Sequence, residues 1–294
     1  MNTKTKTIIH TAAAEPRLVY KPAGNGWGMT ALFEDYRLTF SGGPDSAGLK
    51  AKISAAFNSG QEPKTGPVGS VDLYRLFSPD AKNAWQGAWE SAKKRDRAIS
   101  LEDIFLALLK EPSVKNLLSR MKVNTQAAQT LLTNYLKLTP PSGSDTAKII
   151  PFMAFAFALK LHNHKIGSLM LLGALLKAAP RDNILQAIFV NVGLTLEKLE
   201  PFAVWTLDLN YEFPPLSSRY KLLYCLRQAQ GLEEHFGYFF EAPAIEAAIK
   251  QSAGQTFTDL EHKKALQILV RAGQLAQGKG TKVISESLVR QATV

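Results

Sequence analysis

The sequence predicts a mainly α-helical protein. Its centre reads as a duplicated bundle of four-helix-type repeats, preceded by a small β-containing region and followed by a further helical domain. Three observations predict this. Apolar residues recur at spacings of three and four from Pro79 onward, the period of one helix face. Glycine and proline are concentrated before residue 70. The stretch Ile99 to Leu109 returns without a gap as Ile166 to Leu176, 67 positions on, which marks an internal repeat. The expected domains are 1–70, 75–205 (copies 75–138 and 145–205) and 206–294.

Within 1–70, the β-prone runs 17–21 and 29–40 predict a hairpin whose connection is the Gly24 to Gly28 cluster. Residues 58–70 read as a linker. Ala81, Ala84, Trp85, Ala88, Trp89 and Ala92 share one face of the first helix. Ser100 and Asp103 form an acidic variant of the capping box, and Ile104 to Leu109 follows as a helix. Glu111-Pro112 ends it. Val114, Leu117, Leu118 and Met121 lie on a short helix, and Asn124 starts another through Leu131, Leu132 and Leu136. Residues 139–144 are a linker by composition. Ile149 to Leu159 and Leu169 to Leu176 read as buried helices, joined by a polar turn carrying Lys160, His162, His164 and Lys165. At the 67-residue offset Leu117-Leu118 falls on Ile184-Leu185, and Val123 on Val190. Val123 to Thr125 also resembles Gly193 to Thr195, with three residues inserted. Beyond Pro214-Pro215, helices are expected over 219–230, 242–251 and 260–277. A short extended piece at 283–286 and a last helix carrying Leu288 and Val289 follow.

Composition narrows the function. The chain has 294 residues, 46% of them hydrophobic, which is enough for a large core and excludes wholesale disorder. Its single cysteine, Cys225, excludes a disulfide framework and a cysteine-rich zinc cluster. It also fits a reducing, cytoplasmic location. The apolar pair Ile8-Ile9 is too short for a signal peptide, and no run reaches the ~20 residues of a spanning helix, so no membrane association is expected. Net charge is +10, and residues 75–138 hold 11 basic against 6 acidic residues. Such a surface favours acidic partners or nucleic acid, or is simply a solvated lysine-rich surface.

No set of residues specifies catalysis. Gly273 to Lys279 approaches the phosphate-loop pattern, but Gly280 follows where Ser or Thr is required, and the run continues a helical apolar pattern. A helix end capped by Gly278 or Gly280 is expected there. His162 and His164 lack a nearby third ligand and read as a solvated turn. Cys225 lies beside Leu222, Leu223 and Leu226 as a buried thiol. Neither an enzymatic activity nor a cofactor or metal is expected. The candidate partner-binding residues are Trp85, Trp89, Lys93, Lys94, Arg95 and Arg97. The tryptophans read either as core or as an exposed aromatic pair. The basic residues read either as a solvated helix end or as a surface for an acidic segment or nucleic acid.

Phe77 to Ala92 followed by Ile99 to Leu109 resembles the N-terminal repeat of Clp/Hsp100 unfoldases. In that family an alanine-rich helix precedes a capped leucine-rich helix, and the unit occurs twice. The likeness covers about residues 75–205. It departs from the family at Asp103, where histidine is usual, and at Leu169 and Met170 in the second copy. Leu232 to Gly237, Ala244 to Ile249, Lys264 to Ala272 and Gly280 to Val289 resemble the helical lid of the first Clp ATPase module, which makes 206–294 lid-like. The family's nucleotide-binding core would sit between these parts, yet only residues 206–231 separate them. The resemblance implies a protein-binding module that docks clients, adaptors or a Clp partner in protein quality control. The alternatives are a truncated or degenerate Clp subunit that regulates an ATPase ring, and a basic nucleic-acid-binding protein.

Overall fold

The protein is mainly helical. A computed structural model describes residues 70–138, 145–163, 165–215, 217–252 and 259–293, with four strand segments in 17–41. Of the linker expected over 58–70 only Ser70 is described, as the first residue of a strand, and the linker expected over 139–144 lies outside the described residues, as does His164.

Strands β1 (Arg17–Val19), β2 (Lys21–Ala23), β3 (Gly26–Phe33), β4 (Tyr36–Ser41) and β5 (Ser70–Asp72) lead a short 3₁₀ turn, Leu73–Leu76. β1 pairs antiparallel with β5, and β2, β3 and β4 form an antiparallel meander. The run 29–40 therefore holds two strands, with Phe33 opposite Tyr36.

The helices are α1 (Pro79–Lys93), α2 (Leu101–Leu108), α3 (Pro112–Arg120), α4 (Thr125–Leu138), α5 (Asp145–Lys160), α6 (Ser168–Ala178), α7 (Ile184–Asn191), α8 (Leu196–Thr206), α9 (Ser218–Phe236), α10 (Ala242–Ser252), α11 (Asp259–Gly278) and α12 (Glu286–Gln291). Two-residue strands β6 (Phe239–Phe240) and β7 (Val283–Ile284) pair in parallel. Two compact units result, each built from two stretches of chain: Met1–Leu108 with Leu136–Ala178, and Leu109–Tyr135 with Ala179–Val294. Each of the stretches expected as copies, 75–138 and 145–205, is divided between them, with α1 and α2 of the first stretch and α5 and α6 of the second in the first unit.

In the first unit α1 packs on α2, α5 on α6, and α2 on α6. Every α6 residue from Ser168 to Leu175 is buried, which its all-round apolar sequence demands. α1 starts cleanly because Pro79 suits the first helical position, where no N–H partner is needed. Ahead of it, Phe77 bridges to Ile166 in parallel, with Ser78 N–H donating to Ile166 O at 3.0 Å. Asp80 Oδ2 accepts from Ser168 N–H at 3.1 Å, and Oδ1 accepts from the Ser78 hydroxyl. Burial alone would push the Asp80 pKa up. Hydrogen bonds from the Ser168 and Ser78 side chains and from backbone N–H groups outweigh it, so the carboxyl sits below its ordinary value.

In the second unit α8 packs on α9, α9 on α10 and α11, and α10 on α11 and α12. Arg120 is the polar centre of this unit, at 3% exposure. Its two Nη atoms each meet a Glu233 carboxylate oxygen at 2.6 Å, and Nη1 also donates to Phe240 O at 2.9 Å. Nε donates to Asn116 at 2.9 Å. The guanidinium lies 4.8 Å from the Trp205 ring centre and 4.6 Å from that of Phe239. This holds α9 to α3 within the second unit.

One turn recurs. After α3, Met121, Lys122 and Val123 donate to Leu117, Ser119 and Leu118. After α7, Val192, Gly193 and Leu194 donate to Ile188, Val190 and Phe189. Each bond returns 71 positions later, and Lys122 and Gly193 share a left-handed φ of 60°. Asn124 and Thr195 then cap the next helix, accepting from Ala127 N–H (2.9 Å) and Lys198 N–H (3.3 Å). By this geometry Leu117-Leu118 corresponds to Ile188-Phe189, four residues beyond the ungapped alignment.

Candidate interaction surface

The candidate residues sit on the outer half of α1 and the loop after it. The alanine face of α1 turns inward, and the tryptophans part company there. Trp85 is 4% exposed and packs edge-on against Phe77, with ring centres 6.0 Å apart. It belongs to the core, so the exposed aromatic pair permitted by the four-residue spacing does not form. Trp89 is half-buried, and Lys93 Nζ lies 5.0 Å from its ring centre. That cation–π contact leaves one charge over an apolar plate.

After α1 the chain turns through Asp96, whose φ is 49°. The turn brings Arg95 and Arg97 back over α2. Arg97 forms a two-pronged pair with Asp103, at 2.7 and 2.8 Å, and Arg95 reaches the same carboxylate at 3.4 Å. The Asp103 side chain is fully buried. It also completes the capping box: Oδ2 accepts from Ser100 N–H at 3.1 Å and from its hydroxyl at 2.9 Å. Arg97 is thus mostly committed within the fold, while Lys93 and Lys94 are exposed. Of the six candidates, those two lysines and Arg95 are exposed, and Trp89 is half-buried beside them.

Sequence reasoning passed over Asp103 as an anchor, and over the Arg120–Glu233 pair. Arg120 carried a usable signal, since it stands three residues after Leu117 on the apolar side of α3. The remaining motifs lie as follows. Gly273 lies inside α11, and Gly280 caps the helix end at φ 65°. A Cβ at position 273 would stand 2.9 Å from the Tyr238 ring, so glycine there leaves room for that side chain against α11. His162 is exposed in its turn at φ 55°. Among the described residues no three His, Cys, Asp or Glu converge as metal ligands, and no helix is long and apolar enough to cross a membrane. Cys225 is fully buried, and burial pushes its thiol up to about 12. Compared with protein-family models and with curated proteins, the chain matches none.

Proposed function

We propose that this chain is a protein–protein interaction module of Clp N-terminal type, which docks clients, adaptors or a Clp ATPase partner and performs no chemistry of its own. The observation that carries the reading is the recurrence of one helix–turn–cap pattern 71 positions apart, in a chain whose first copy has the Clp-like motif. The Arg120–Glu233 pair adds support, because it holds the lid-like tail to the chain's own α3 instead of leaving it for an ATPase ring. Exposed Lys93 and Lys94 beside Trp89 steer acidic partners toward the end of α1.

The test is an affinity pulldown from native lysate with tagged full-length protein, at moderate and high salt. A Clp ATPase or its clients are expected at both salts. The double substitution Lys93→Glu, Lys94→Glu is expected to slow association by about tenfold at low salt. Recovery of nucleic acid alone, lost at high salt, would sink the proposal.

A further inference from the structure

We propose that the outer face of α4 is a contact between two copies of this chain. Asn124, Ala127, Leu131 and Asn134 are separated by three, four and three residues, so they form one stripe along the helix. All four are exposed, Leu131 by 50%, while Leu132 and Leu136 on the other side are buried. With Gln126 and Thr130 the stripe lines a shallow trough of about 510 Å³.

The chemistry of this trough selects its occupant. No residue from Asn124 to Leu136 carries a charge, in a chain where 20% of residues are charged. A partner of opposite charge finds nothing there to recognise. Two copies of a chain with net charge +10 repel each other, and they meet at least cost where neither brings a charge into contact. A two-fold contact also needs a patch complementary to itself. Asn124, Gln126, Thr130 and Asn134 satisfy this, because amides and hydroxyls both donate and accept. Ala127 and Thr130 are small, which lets two helix axes approach to about 8–9 Å with Leu131 in the seam. One helix pair buries less than the ~1,200 Å² of a stable interface, so the contact is weak and reversible. Added salt screens the repulsion over about 8 Å and strengthens it.

The experiment uses the full chain. Sedimentation equilibrium over a concentration series, at low and physiological salt, is expected to show a monomer–dimer equilibrium that tightens with salt. Leu131→Glu places like charges across the two-fold and is expected to weaken the dimer at least tenfold, about 1.4 kcal/mol, with an unchanged circular dichroism spectrum. Should that variant unfold, Ala127→Glu reads the same contact. Thr130→Cys is expected to form a disulfide dimer under mild oxidation about tenfold faster than Lys250→Cys, a control on an exposed part of α10. Cys225 is buried and contributes no background. A single monomeric species throughout, a dimer indifferent to both glutamates, or equal cross-linking at 130 and 250 would each overturn the proposal.

Discussion

Arg120 lies on the apolar side of α3 beside Val114 and Leu117, where a charge has no local partner in the sequence. The fold supplies Glu233 from 113 positions away, and two aromatic rings close over the guanidinium. Breaking such a buried pair costs more than the pair contributes, because one charge stays behind without compensation. Glu233→Ala is therefore expected to destabilise the protein by about 3–5 kcal/mol in chemical denaturation. Adding Arg120→Met to it recovers part of the loss, because the stranded charge is gone. Equal instability of single and double variants would refute this account. The sequence marks Arg120 as anomalous but cannot name its partner, because pairing at that separation depends on how α9 folds back. Trp85 teaches the converse. Its spacing from Trp89 is compatible with either environment, and only the packing of Phe77 against it decides for the core.

Among elements, α2 shows most plainly what local chemistry dictates and what it leaves open. The Ser100–Asp103 spacing predicts the cap, and both directions of the capping box form, Asp103 N–H reaching Ser100 Oγ at 3.3 Å. Nothing in that spacing predicts that Arg95 and Arg97 share the same carboxylate. This requires the left-handed turn at Asp96, which aspartate tolerates better than most residues but which the cap spacing alone does not specify. Asp103→Ala removes a cap and strands Arg97 together. A loss of about 3 kcal/mol is expected, more than the ~1 kcal/mol typical of a cap alone. A thermal melt at neutral pH checks this, and a loss no greater than the cap's would show that the arginines do not depend on Asp103. Register is less legible. Hydrophobic matching places the second copy 67 positions on, but leucine-rich helices match well at several offsets. Turn hydrogen bonds and caps are sharper markers, and they recur at 71.

At the scale of the molecule, the helical class is readable because long segments keep one period. The assignment of helices to units is not, because both copies present apolar faces that fit either grouping. Cys225 reports on the second unit as a whole. Its folded pKa of about 12 lies above an ordinary value of 9.0. The stability this reflects is complete below pH 9 and is lost as pH rises toward 12. A thiol reagent at pH 8 is expected to label Cys225 only through unfolding, so its rate should follow denaturant concentration. Fast labelling of the native protein would contradict the burial. The path of the chain has one more consequence. It passes from one unit to the other after residues 108, 135 and 178, so no contiguous fragment consists of one unit alone. During synthesis α1 and α2 leave the ribosome some 70 residues before α6 is complete. At about 5–20 residues per second, their apolar faces wait roughly 4–14 s for their partners. The nascent chain therefore spends its first seconds as the kind of sticky, half-made polypeptide that cellular chaperones hold.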